Sequence, residues 1–179
     1  VNWNIEKAFG AIRGVYDAIR GEGGFSQLLE RRISDPWGVD FEEDVIGGLD
    51  GRFSIATWVE PPARINSQTN LLAFKLKDAS RAQKTFNRIM ENFNFFTKTN
   101  HRGTTYYSVA IPNDENRPDF VRAPVPCLAI VGDYLMFTDS DRFLKRVLVT
   151  KGSNSKGLAN QLDYKLIASR IRRQAGRQE

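Results

Sequence analysis

The chain has 179 residues, a 41% hydrophobic share and a net charge of +5 from 26 basic and 21 acidic side chains, so it carries enough apolar material for one domain with a continuous core. Its single cysteine, Cys127, excludes an internal disulfide framework and any cysteine cluster around zinc or iron–sulfur. No stretch approaches the roughly 18 uninterrupted apolar residues of a membrane-spanning helix, and nothing resembles a signal peptide. The chain begins at Val1 rather than methionine and reads as a fragment of a longer precursor, so the lack of a targeting segment says little.

Ile5, Ala8, Phe9, Ile12, Val15, Tyr16 and Ile19 recur at three- and four-residue spacing, which predicts an amphipathic helix ending near Gly21. A shorter helix carries Leu28, Leu29 and Ile33 and is expected to stop before Pro36, which cannot continue the hydrogen-bond ladder. Asp40 followed by Glu43 reads as a capping box for a short helix through Val45 and Ile46, closed by Gly47 and Gly48. After Asp50-Gly51 the period changes to two. Phe53, Ile55, Thr57 and Val59 alternate with Ser54, Ala56 and Trp58 in a strand that Pro61-Pro62 closes, and a second strand runs from about Leu71 to Lys77. Asp78 then caps a helix with one stripe of Ala82, Phe86, Ile89, Met90 and Phe93.

Thr104 to Ile111 predicts a third strand, and the proline- and asparagine-rich segment from Pro112 to Pro126 a surface loop. Cys127 to Val131 and Tyr134 to Thr138, joined by Gly132-Asp133, form a tight hairpin. Both runs are apolar on successive residues, so they are expected in the middle of the sheet with cover on both faces. A helix around Phe143, Leu144, Val147 and Leu148 follows, then a Gly/Ser/Asn linker from Lys151 to Gly157, and a last helix bearing Leu162, Leu166, Ile167 and Ile171.

Strand, strand, helix occurs twice, and the helices open alike, Lys77-Asp78-Ala79-Ser80-Arg81 and Thr138-Asp139-Ser140-Asp141-Arg142. A duplicated β-β-α unit sharing one antiparallel sheet, with helices on one face, would explain the echo; so would the general preference for Asp and Ser at helix starts. The expected fold is α+β: an antiparallel sheet of about five strands with helices packed on it. An N-terminal helical segment, 1–48, covers part of the sheet of a body formed by 49–179, all one domain.

No catalytic, metal or cofactor constellation stands out. His101 lies in a polar segment and reads as a solvated loop residue. A Cys127/His101 nucleophile pair is disfavoured because Cys127 opens an apolar strand, where a thiol is usually a small hydrophobe. Gly47-Gly48-Leu49-Asp50-Gly51 lacks the Gly-Lys-Ser/Thr of a phosphate loop and reads as a turn. Glu42, Glu43 and Asp44 could act as an acid/base pair, but acidic residues in a first helical turn more often answer the helix dipole. Asp114, Glu115 and Asp119 have none of the spacing of a calcium loop. The last helix is basic, with Lys165, Arg170, Arg172, Arg173 and Arg177 as possible anion contacts. Phe93, Phe95, Phe96, Tyr106 and Tyr107 could stack on bases but read more readily as core packing. Strand alternation sends Trp58 and Tyr106 away from Phe53, Ile55, Tyr107 and Val109; left uncovered, the two would form an interaction face.

The order of residues also resembles a known family. Phe41 to Val45 leading to Leu49-Asp50-Gly51-Arg52-Phe53-Ser54-Ile55, then Leu72 to Asp78, Thr105-Tyr106-Tyr107, Gly132-Asp133-Tyr134-Leu135, and Lys151-Gly152 with Leu158-Ala159 are similar to the bacterial domain of unknown function catalogued under number 3352, over roughly Gly38 to Ile171. The resemblance implies a secreted, periplasmic or membrane-anchored envelope protein, and it supplies no catalytic residues. The expectation is therefore a non-enzymatic extracytoplasmic module, without cofactor, that engages another protein or the rest of its own longer chain. The alternative is a nucleic-acid or anionic-polymer binder using the basic last helix.

Overall fold

The structure, a computed structural model, describes residues 4–109, 111, 118–151 and, beyond them, Leu162, Lys165, Leu166 and Ser169. Its strands are β1 (Leu49–Val59), β2 (Gln68–Leu76), β3 (Phe96–His101), β4 (Thr104–Val109), β5 (Cys127–Val131) and β6 (Tyr134–Thr138). They form one antiparallel α+β sheet in the order β1-β2-β6-β5-β4-β3. The count is six rather than about five because β3 escapes the period-two test. It is an edge strand whose Thr97, Lys98, Thr99 and Asn100 show no apolar alternation.

The helices are α1 (Ile5–Arg20), α2 (Gly24–Leu29), α3 (Asp35–Trp37), α4 (Ala79–Glu91) and α5 (Asp141–Lys151), with π-helical turns at Glu30–Ser34 and Phe41–Ile46. Helix α1 starts where the Asn4 side chain accepts from the Lys7 N–H at 2.8 Å and ends on Gly21, whose φ of 98° suits glycine. Helical structure does not stop before Pro36. The ladder widens into a π turn, with the Asp35 N–H reaching the Glu30 carbonyl, and Pro36 is taken into the first turn of α3, where no N–H is required. Half of the predicted capping box is made: Asp40 accepts from the Glu43 N–H at 2.8 Å, while the Glu43 carboxylate turns outward to Arg81. Asp78 caps α4 by accepting from the Ser80 and Arg81 N–H groups, which hold its carboxyl below its ordinary pKa, the Arg81 bond foremost.

The two long helices of the sheet body pack on opposite faces, not on one. Leu76, the last residue of β2, lines a small cavity with Ala82, Phe86 and Ile89, so the chain turns from it into α4 on that face. In β6 the last residue, Thr138, pairs with Leu71 and Cys127 on the other face, and the chain turns there into α5. The face on which each strand's final side chain lands thus decides which side receives its helix. Under α5 the sheet presents Cys127, Ala129, Val131 and Tyr106 to Leu144 and Leu148, while Leu71 and Ala73 meet Phe143. On the α4 face Phe86 stands edge-on to Tyr107 with centroids 5.3 Å apart.

The N-terminal segment joins α4 through rings rather than by lying across the sheet. Tyr16, Phe25, Phe9, Phe41, Trp37 and Phe93 make successive contacts at centroid distances of 5.4–6.3 Å. The last residues of the segment, Asp44, Val45 and Gly48, do cover one end of the sheet, closing the cavity over Leu76, Ile130 and Leu135, and the Gly48 carbonyl accepts the Lys77 N–H at 2.9 Å. Leu144 is fully enclosed at the centre of the α5 core. Replacing it by Ala is expected to lower stability by about 3 kcal/mol, read as an earlier urea midpoint with an unchanged slope.

Candidate functional site

Trp58 and Tyr106 do share a face, as alternation requires, but α5 covers it. Tyr106 is 2% exposed within the core, and Trp58 lies against Phe143 at 5.5 Å with the Arg146 guanidinium 5.2 Å from its ring. The face left open is the opposite one. There Ile55 pairs with Leu72, Leu72 with Phe137, and Phe137 with Leu128, giving one apolar row across β1, β2, β6 and β5. The row is about 14 Å long at the usual strand spacing. Ile55 is 61% and Phe137 40% exposed. Helix α4 closes the row only at its Tyr107 end, so the central hairpin is sandwiched near Ile130 and Leu135 and bare near Leu128 and Phe137, contrary to the expectation of cover throughout.

A polar cluster occupies the end of the sheet beside Pro61 and Pro62. Glu60 accepts from the Ser140 hydroxyl at 2.6 Å and from Arg142 at 3.0 Å, and Ser140 in turn accepts the Phe143 N–H at the start of α5. Buried Arg122 pairs with the Asp139 carboxylate and donates to the Asn66 and Asp139 carbonyls at 2.6 and 2.9 Å; the other Asp139 oxygen accepts the Asn70 N–H. The Arg122 nitrogens all have partners. These groups fasten the 118–126 segment and the β1–β2 turn to the head of α5, and nothing in them is poised to react.

The remaining candidates are scattered. Cys127, completely enclosed, donates to the Val125 carbonyl at 3.1 Å, and burial pushes its thiol up to about 12 from an ordinary 9.0. His101 ends β3, half-buried, rather than lying in a loop; it pairs with Thr104 whereas Cys127 pairs with Ser108, at the far end of β4. That separates the two by about 13 Å along the strand. Glu42 pairs with Arg13, while Glu43 and Asp44 share Arg81 at 3.0 and 3.1 Å. Those hydrogen bonds, Asp44's foremost, raise the Arg81 pKa. The same segment borders a cleft of about 660 Å³ lined by Glu30, Asp35, Asp40, Glu42, Asp44 and Arg88, yet among the described residues no three His, Cys, Asp or Glu side chains are placed to share a metal ion. Gly47 and Gly48 form a turn, but Leu49, Asp50 and Gly51 already belong to β1, so the expected turn is only two residues long. Asp119 and Lys165 are exposed; Asp114, Glu115, Arg170, Arg172, Arg173 and Arg177 lie outside the described residues.

Residues 23–176 match the family described as protein of unknown function (DUF3352). The chain belongs to that family. The match begins before Gly38, so α2 and the Pro36 turn are part of the DUF3352 unit and α1 precedes it. Neither the curated proteins nor the solved structures give a match.

The open row lies on the side of Ile55, opposite the Trp58 and Tyr106 face that alternation singles out. A readable signal is that Ile55 and Val59 sit on the first strand, which ends up at the sheet edge, beyond the reach of a single covering helix. In this DUF3352 chain Cys127 is expected to resist thiol reagents at pH 8 in native buffer and to react completely once unfolded; rapid native labelling would contradict its enclosure. Arg122→Ala is expected to cost about 2 kcal/mol in denaturant melts, because it strands the Asp139 carboxylate and frees the 118–126 segment.

Proposed function

We propose that this DUF3352 chain is a non-enzymatic protein-interaction module of the bacterial cell envelope, acting outside the cytoplasm, and that it engages its partner through the open sheet face. The observation that supports it is the Ile55–Leu72–Phe137–Leu128 row, a contiguous apolar strip in which, among the described residues, Ile55 and Phe137 are exposed and Leu72 and Leu128 half-buried. Such strips are usually hidden in soluble proteins unless something binds them. The ionisable side chains favour this reading over catalysis: Glu42, Glu43, Asp44, Glu60 and Asp139 are spent on ion pairs, and Cys127 is enclosed. The envelope location rests on the resemblance to secreted and anchored proteins.

Ile55→Asp alters an exposed edge-strand position and is expected to stay within about 0.5 kcal/mol of the parent in urea melts, whereas Phe137→Asp, at a central-strand position only 40% exposed, is expected to lower the midpoint while the chain stays folded in buffer. A photo-crosslinking residue at position 55, introduced into the full protein in bacterial cells, should yield a discrete protein adduct in the envelope fraction that disappears with Phe137→Asp. No adduct at position 55, or an adduct only with nucleic acid, would sink the interaction; fractionation with the cytosol would remove the envelope assignment.

A further inference from the structure

Helix α1 is the longest described helix, and it buries none of its side chains. Ile5, Ala8, Ile12, Val15 and Ile19 follow one another at intervals of three, four, three and four residues. That is the spacing of a seam meant for another helix, with β-branched isoleucine at alternate positions. Phe9 and Tyr16, on the flank of the seam, are taken up by Phe25 and Phe41. The seam itself is left outward: Ile12, Val15 and Ile19 are 59%, 65% and 76% exposed. Two further apolar helical residues are exposed among the described residues later in the chain. Leu162 and Leu166, one turn apart, are 70% and 50% exposed, and Leu158 precedes them at the same interval.

The connection brings these residues within reach of the seam. Lys151, the last residue of α5, has its Nζ 3.4 Å from where a Cβ on Gly132 would lie. The next residue, Asp133, accepts the Leu76 N–H at 2.8 Å, and neighbouring Lys77 pairs with Glu6 in the first turn of α1 at 2.9 Å. Helix α5 therefore ends at the end of the sheet where α1 begins. The residues between Lys151 and Leu162 can span up to roughly 35 Å, whereas α1 is about 24 Å long. A segment laid along α1 in the same direction places its basic end, from Arg170 onward, beside Glu22 and the carbonyl end of α1, where cations are favoured.

We propose that residues 158–171 dock along the Ile12–Val15–Ile19 seam of α1, parallel to it, so that Leu162 and Leu166 cover the exposed seam. This pairing leaves the open sheet face untouched and is independent of the function proposed above.

Enclosed Cys127 allows new cysteines to be paired selectively in the full chain. Ile12→Cys with Leu162→Cys is expected to form a disulfide within one chain under mild oxidation, and Ile19→Cys with Leu162→Cys, which reports the reverse direction, to form it far more slowly. Hydrogen exchange supplies a second reading. In the triple variant Ile12→Lys, Val15→Lys, Ile19→Lys, amides of 158–171 should exchange at least about tenfold faster than in the parent while those of β5 and β6 stay protected. Equal exchange of 158–171 in both proteins, disulfides between chains only, or faster closure of the reverse pair would overturn the proposal.

Discussion

Everything in the domain is arranged around the close seating of α5 on a floor of small side chains. Ala73, Cys127 and Ala129 line that floor, and their shortness lets the helix backbone approach until Leu144 and Leu148 are swallowed between it and the sheet. Each such leucine contributes about 1.5–3 kcal/mol by leaving water. Seating α5 also fixes its first turn, and with it the polar end of the molecule. Ser140 and Arg142 hold Glu60, Asp139 holds Arg122, and Arg122 holds the 118–126 segment. Within this part-exposed network the buried Arg122 guanidinium is tolerable because its donors are matched, and the packing beneath supplies the precision that matching requires.

The opposite face is built on another plan. There a string of rings, not a floor of small residues, ties the end of α4 to the N-terminal helices, and the cover lies over the Leu49, Leu76, Leu135 and Ile130 end of the strands and over Tyr107. That placement leaves the sheet two-sided in character: apolar and closed on one face, apolar and half open on the other. A sheet stiffened by a sealed core on one side is a suitable platform for contact on the other, because the contact strip loses little freedom on binding.

Local chemistry made most elements legible. The Asp78 cap, the Gly132-Asp133 turn and the amphipathic stripe ending at Gly21 are interactions among near neighbours in sequence, and they fall where residue type and spacing place them. Which face a helix lands on is not such a property. The echo aligns Asp78 with Asp139, but α5 is capped by Ser140, one position later, and the two helices diverge because Leu76 and Thr138 point to opposite sides. Strand β3 was hidden for the same reason: its partners, not its own pattern, make it a strand. The candidate site was the least legible part. Trp58 and Tyr106 were correctly assigned to one side, but whether that side is bare depends on where α5 lies, and no pattern within β1 or β4 carries that information.

The pairing of β2 with β6 joins Leu71 to Thr138 across most of the described chain, and it is the one ladder connecting the β1–β2 hairpin to the other four strands. Either hairpin beside it can form from neighbours in sequence, whereas this seam must wait for a long loop to close. Until it does, the apolar edges of β2 and β6 are both unpaired, and those are the edges along which two unfinished copies would join by mistake. Assembly of this domain is thus governed by how quickly its own middle is sewn shut.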